Sequence, residues 1–167
     1  MQSAATLDDD EQEAENGGRR NTRVIKETLY TAHVATRGAR GGHARSDDGN
    51  LDVSLSVPQG LGGQGGKGTN PEQLFAAGYA ACFGGALQYA AGLKKMNPGE
   101  LMVEAKVGIG PSTDKEGFEV AVALEVTLPK LTQQEAEELV AAAHRICPYS
   151  NATRGNVDVQ LKAHGGR

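Results

Sequence analysis

Residues 70–93 read NPEQLFAAGYAACFGGALQYAAGL, and residues 74–93 carry no formal charge. A run this long without charge must either cross a membrane or lie buried as a helix among other elements. Its composition argues for burial. The run is mostly Ala and Gly, Gln88 interrupts it, and no comparable second segment exists. A helix apolar all round needs cover on every side. Small residues at Ala77, Gly78, Ala81, Gly84 and Gly85 let other elements approach closely. Asn70 suits the N-cap and Pro71 the first helical position, and Glu72 in the first turn complements the macrodipole. Cys82 sits near the middle of this helix. The second cysteine, Cys147, falls on a second predicted helix.

The rest of the chain must build the cover. At 167 residues it has the length of one domain with its own core. Residues 1–27 read as a disordered acidic tail, with acids crowded into 8–15, and residues 28–167 as the folded domain. The tail has no apolar signal region, which points to a cytoplasmic protein with reduced thiols. A net charge of −4 leaves no electrostatic footprint for nucleic acid or an anionic membrane surface. Two cysteines do not make a disulfide scaffold. In a reducing compartment such a pair points instead to catalysis, redox cycling or metal binding.

Loose alternation with β-branched residues predicts a first strand over 24–36, followed by a Gly-, Arg- and Asp-rich loop or turn over 37–50. Clean alternation predicts a half-buried strand over 51–57, ended by Pro58. The glycine loop 59–69 invites a phosphate-binding reading that fails on spacing: Leu61 stands where a Walker loop needs Gly, and Gly68 where it needs Ser or Thr. It reads instead as a flap or a close backbone crossing. Two alternating runs, 101–109 and 118–128, form a hairpin. Thr132 with Glu135 makes a capping box for a helix whose apolar stripe is Ala136, Leu139, Val140, Ala143, Ile146 and Cys147. A final strand spans 156–163. The order β–β–α–β–β–α–β predicts an α+β domain with antiparallel sheets wrapped around a central buried helix.

A lone cysteine in a helix of Ala and Gly reads most simply as a small buried hydrophobe. Three features point beyond that for Cys82. Cys147 also falls on a buried helical face. Arg40 lies in a Gly-rich loop, and a guanidinium beside a thiol favours thiolate. The segment CPYSNATRGN is polar and turn-forming directly after an apolar helix. A zinc site would draw on His33, His43, His144 or His164, but no C-x-x-C or H-x-x-x-H spacing occurs. His144, one turn before Cys147, reads as a rim residue. No G-x-S-x-G supports a serine hydrolase.

The pieces LYTAHVAT with GARGG behind it, LSVPQGLGG, GTNPEQLFAAGYAACFGGAL, VGIG and HRICPYSNATRGNVDV follow in order over about residues 29–163. Together they resemble the organic hydroperoxide resistance proteins (Ohr) of the OsmC/Ohr superfamily. The resemblance implies an OsmC/Ohr-like fold, an intertwined homodimer and a thiol peroxidase that reduces alkyl and fatty-acid hydroperoxides. It implies Cys82 as the peroxidatic thiolate, Cys147 as the resolving thiol, Arg40 as the family arginine and Glu72 as the family glutamate. It further implies recycling by dihydrolipoamide or a lipoylated protein, with no bound cofactor and no metal. Gly41 departs from the acid many members carry at that position. Other readings are an OsmC-like peroxidase of broader scope and a non-enzymatic lipid- or small-molecule-binding dimer.

Helix geometry adds one expectation. Ten residues separate Glu72 from Cys82, roughly 15 Å along a continuous helix. Glu72 therefore cannot easily serve Cys82 of its own chain. Two central helices packed antiparallel about a two-fold axis would bring Glu72 across the interface, with Arg40 a candidate to come with it.

Overall fold

The computed structural model describes residues 25–167. The expected tail, 1–27, lies almost entirely outside them. The chain divides into residues 1–33 and a compact unit Val34–Arg167. Residues 25–33 hold no helix or strand. Within the compact unit the order is β1 (Val34–Arg37), β2 (His43–Ser46), β3 (Asp52–Ser54), α1 (Pro71–Lys94), β4 (Met102–Pro111), β5 (Phe118–Leu128), α2 (Gln133–Ile146), α3 (Pro148–Thr153) and β6 (Val159–Gly165).

The α1 helix starts where its sequence says it should. Asn70 accepts from the Gln73 amide at 2.9 Å and Pro71 follows as first residue. It ends at Lys95, whose left-handed backbone (φ 55°) turns its amide onto the last carbonyls. One face of α1 (Tyr79, Phe83, Ala86, Leu87, Ala90 and Ala91) is buried in one core with α2 and the inward side chains of β5, namely Val122, Leu124, Val126 and Leu128, and the helix lies along β4. Leu139, Val140 and Ala143 of α2 complete this core. The capping box at the start of α2 forms in full, with Thr132 and Glu135 exchanging side-chain and backbone bonds. No helix among the described residues is long and apolar enough to cross a membrane.

The expectation of a helix buried all round is corrected in one respect. In the single chain, Ala77, Ala81, Gly85, Tyr89 and Leu93 form an exposed stripe along α1. Tyr89 is 63% and Leu93 69% exposed. In the single chain β4, β5 and α2 cover only one side of a helix that is apolar on both.

The strands form two sheets. In the first, β1-β2-β3, both pairings are antiparallel. β1 is much shorter than the run 24–36 because its partner stops. Val34 pairs with Ser46, the last residue of β2, and beyond it the chain turns over 47–50. β2 itself falls in the expected loop. Its only apolar residue is Ala44, 3% exposed, so no alternation marks it. In the second sheet β4 and β5 form the expected antiparallel hairpin. β6 joins β5 in parallel, which corrects the all-antiparallel expectation. The physical reason is the crossover: α2 and α3 return the chain to the starting end of β5, as a β-α-β connection must.

The glycine loop proves to be a close backbone crossing. A Cβ on Gly68 would stand 2.6 Å from the Leu55 carbonyl carbon and 2.7 Å from the Ser56 nitrogen. That approach lets the Ser56 amide donate to the Thr69 carbonyl and the Thr69 amide donate to the Ser54 carbonyl, which ties the first sheet to the residue before the Asn70 cap.

Candidate active site

The four expected site residues assemble as two pairs. The first joins the loop after β1 to the first turn of α1. Arg40 lies in a tight turn, Ala39–Gly41, closed by Gly42. A Cβ on Gly42 would come within 1.7 Å of the Arg37 carbonyl oxygen, so only glycine lets the loop fold back this sharply. The Arg40 guanidinium meets the Glu72 carboxylate as a fork, Nη1 donating to Oε2 at 3.1 Å and Nη2 to Oε1 at 2.8 Å. Such two-point pairing fixes orientation as well as charge. The bond to Arg40 holds the Glu72 carboxyl below its ordinary range, and the same bond pushes the Arg40 guanidinium up. Both groups stay charged near neutral pH.

The second pair is the two thiols. Cys147 is fully buried at the junction of α2 and α3, and its Sγ lies 3.7 Å from Sγ of the half-buried Cys82. Both are free. Burial pushes the Cys82 thiol above its ordinary value, opposed by a hydrogen bond from the Tyr149 backbone amide, while neighbouring Cys147 adds to the rise. Among the described residues no hydrogen bond or ion pair joins Arg40 to Cys82. The pairs therefore occupy different levels of α1, as the ten-residue spacing requires.

Several residues around the thiols were not picked out by motif. Phe75 packs on Tyr79 and on Tyr149 with ring centroids 6.0 Å apart in each case, and Tyr79 lies 5.6 Å from Tyr149. Tyr79 sits three residues before Cys82, one turn away on the same helix. That spacing was the available signal for it. Its hydroxyl is buried against Ser150 Oγ at 2.9 Å and Thr153 Oγ1 at 3.2 Å. Phe75 also walls an open cavity of about 460 Å³ lined by Val34, Leu51, Leu55, Leu74 and Arg40. The cavity is apolar apart from a few groups that include the guanidinium. His144 is half-buried. Its ring is pushed toward the neutral form by burial and by nearby Arg154, which donates to the His144 carbonyl.

Residues 63–162, more than half of the chain, match the OsmC-like protein family. The chain belongs to that family. Within the OsmC-like proteins it is similar to those named for organic hydroperoxide resistance. It is 52% identical over 137 residues to the organic hydroperoxide resistance protein of Xanthomonas axonopodis pv. citri (strain 306), covering 81% of this chain and 95% of that protein. It also matches the crystal structure of the organic hydroperoxide resistance protein OhrB of Bacillus subtilis, with TM-score 0.74 and 48% identity over 81% of this chain and 98% of that one. The Elizabethkingia anophelis organic hydroperoxide resistance protein superposes with TM-score 0.79 at 46% identity, over 83% and 99% of the two chains. The OsmC-like α+β fold expected from the motifs is thus the fold of this chain.

Proposed function

We propose that this protein is a thiol-dependent peroxidase that protects against oxidative stress by reducing organic hydroperoxides to alcohols. The observation that carries the reading is the thiol pair. Two free cysteines stand 3.7 Å apart, one half-buried and one fully buried, beside an aromatic cluster that borders an apolar cavity. The names of relatives about half identical in sequence support the same substrate class.

The Cys82 thiolate attacks one oxygen of the O–O bond. That bond breaks, the alkoxide leaves and takes up a proton as alcohol, and Cys82 becomes a sulfenic acid. A guanidinium near the reacting oxygens stabilises the developing alkoxide charge. Cys147 then displaces hydroxide from the Cys82 sulfur, giving a disulfide and water. A lipoyl dithiol, free or on a lipoylated protein, reduces the disulfide by exchange. The apolar cavity favours alkyl and fatty-acid peroxides over hydrogen peroxide. The experiment is steady-state reduction of cumene or tert-butyl hydroperoxide with dihydrolipoamide as donor, in parallel with glutathione and thioredoxin. Turnover is expected with the dithiol alone, and absence of turnover with every donor overturns the reading.

The working unit in this reading is a cytoplasmic homodimer. The exposed apolar stripe of α1 is its interface, and Arg40 with Glu72 serves Cys82 of the partner subunit. Burial raises the Cys82 thiol, and a guanidinium across the interface is what brings it back to thiolate. A side chain on Gly85 would meet nothing within 4 Å in the chain. Gly85→Glu is therefore expected to leave the fold intact, to yield a monomer in light scattering, and to move the pH midpoint of Cys82 alkylation up by about one unit or more. A monomeric Gly85→Glu variant with an unshifted midpoint would show that Arg40 does not act across the interface.

A further inference from the structure

Among the described residues, the buried polar side chains outside the thiol pair are concentrated at one place. Ser150 and Thr153 are 0% and 5% exposed, and both direct their hydroxyls at the hydroxyl of fully buried Tyr79. Thr153 Oγ1 is held further by the Tyr149 carbonyl at 2.9 Å and the Ser150 carbonyl at 3.3 Å. An apolar core residue would fill the same space without needing a partner. A cluster of three mutually bonded hydroxyls in that position instead fixes the geometry of the segments it joins.

The placement shows what the direction does. Tyr79 is three residues before Cys82 on α1. Ser150 is three residues after Cys147 and Thr153 six after, both on the short α3. The hydroxyl cluster therefore bonds the turn beside one thiol to the segment that carries the other. Tyr149, between Cys147 and Ser150, packs its ring on Tyr79 and gives its backbone amide to the Cys82 sulfur. α3 is a six-residue helix of fewer than two turns that could not hold itself in place by its own hydrogen bonds.

We infer that Tyr79, with Ser150 and Thr153, is a positioning clamp that holds Cys147 within reach of Cys82 and so sets how fast a Cys82 sulfenic acid is captured as a disulfide. The inference rests on the thiol-pair reading above and goes beyond it by assigning residues that touch neither peroxide nor sulfur. In the capture step the Cys147 sulfur bonds to the Cys82 sulfur, the S–O bond breaks, and hydroxide leaves as water with the Cys147 proton. The Cys82 sulfur is reduced and the Cys147 sulfur oxidised by the same electron pair. The competing step needs a second hydroperoxide, which transfers oxygen to the sulfenate and leaves a sulfinic acid and an alcohol. The sulfurs must close from 3.7 Å to about 2 Å for capture, so a loosened α3 shifts the outcome toward sulfinic acid.

Tyr79→Phe keeps the ring contacts and removes only the hydroxyl. Two measurements test it. In the first, the full-length protein is titrated with cumene hydroperoxide, and intact-mass spectrometry separates disulfide from sulfinic acid. The first oxidation is expected at the wild-type rate, disulfide formation about tenfold slower, and sulfinic acid at about tenfold lower peroxide. That is the fold-change of losing one buried hydrogen bond. In the second, the thiol pair is equilibrated with glutathione and its disulfide without peroxide, and the equilibrium constant for closure is expected to fall about tenfold. Ser150→Ala, a smaller change, should move both readouts the same way and decides the matter if Tyr79→Phe does not fold. Wild-type closure and wild-type sulfinic acid yield in a folded variant overturn the clamp. If peroxide fails to oxidise even the wild type while the glutathione equilibrium still falls in the variants, the clamp stands and the peroxidase reading is what fails.

Discussion

Cys82→Ser is expected to lower hydroperoxide turnover with dihydrolipoamide by about 10³-fold or more while leaving the fold in place. A serine hydroxyl does not ionise near neutral pH and cannot carry the sulfenic or disulfide states. The fold should tolerate the change. Cys82 lies at the half-buried margin of the core, and the substitution alters one atom. Its thermal midpoint should stay within a few degrees of wild type. Turnover within tenfold of wild type would remove Cys82 from the mechanism and return it to the small buried hydrophobe that its Ala- and Gly-rich surroundings also allow.

The second large effect separates the two thiols. Cys147→Ala is expected to consume one equivalent of hydroperoxide at the wild-type rate and then stop. Steady-state turnover with the dithiol should fall by about 10²-fold or more, with sulfinic acid accumulating at Cys82. Ala is the better replacement here. Cys147 is fully buried, and a serine hydroxyl would need a partner that its surroundings must divert from elsewhere, at a cost of about 1–3 kcal/mol. The Cys147 side chain makes no capping bond, so its loss leaves the α2–α3 junction to the backbone. Undiminished steady-state turnover in Cys147→Ala would mean that a donor reduces the sulfenic acid directly, and the 3.7 Å separation would then have no role in the cycle.

Much of the fold was legible because its signals are local. The α1 start is written in Asn70-Pro71, the α2 start in Thr132 and Glu135, and the β4–β5 hairpin in two alternating runs. The misses share a cause, which is dependence on a partner strand or a remote segment. β1 stops where β2 runs out of residues, β2 has one buried side chain to advertise it, and β6 takes its direction from the crossover before it. Likewise, Cys82, Cys147, Arg40 and Glu72 were each conspicuous by type and motif. Tyr79, Ser150 and Thr153 were not, because a hydroxyl becomes informative only once its burial and its partners are known.

By itself the sequence determined that an uncharged helix would be the centre of the molecule, that one thiol would sit in its middle and the other at the end of a second helix, and that Glu72 would lie about two and a half to three turns away from the first. These follow from composition, capping chemistry and a fixed rise per residue. Only the tertiary structure decided which groups meet. It placed the thiols at 3.7 Å, closed Arg40 onto Glu72 as a fork, and kept those pairs apart in the single chain. It also left one apolar face of α1 uncovered. The reason is that contacts between segments distant in sequence depend on how the sheets and helices stack, which no local pattern encodes.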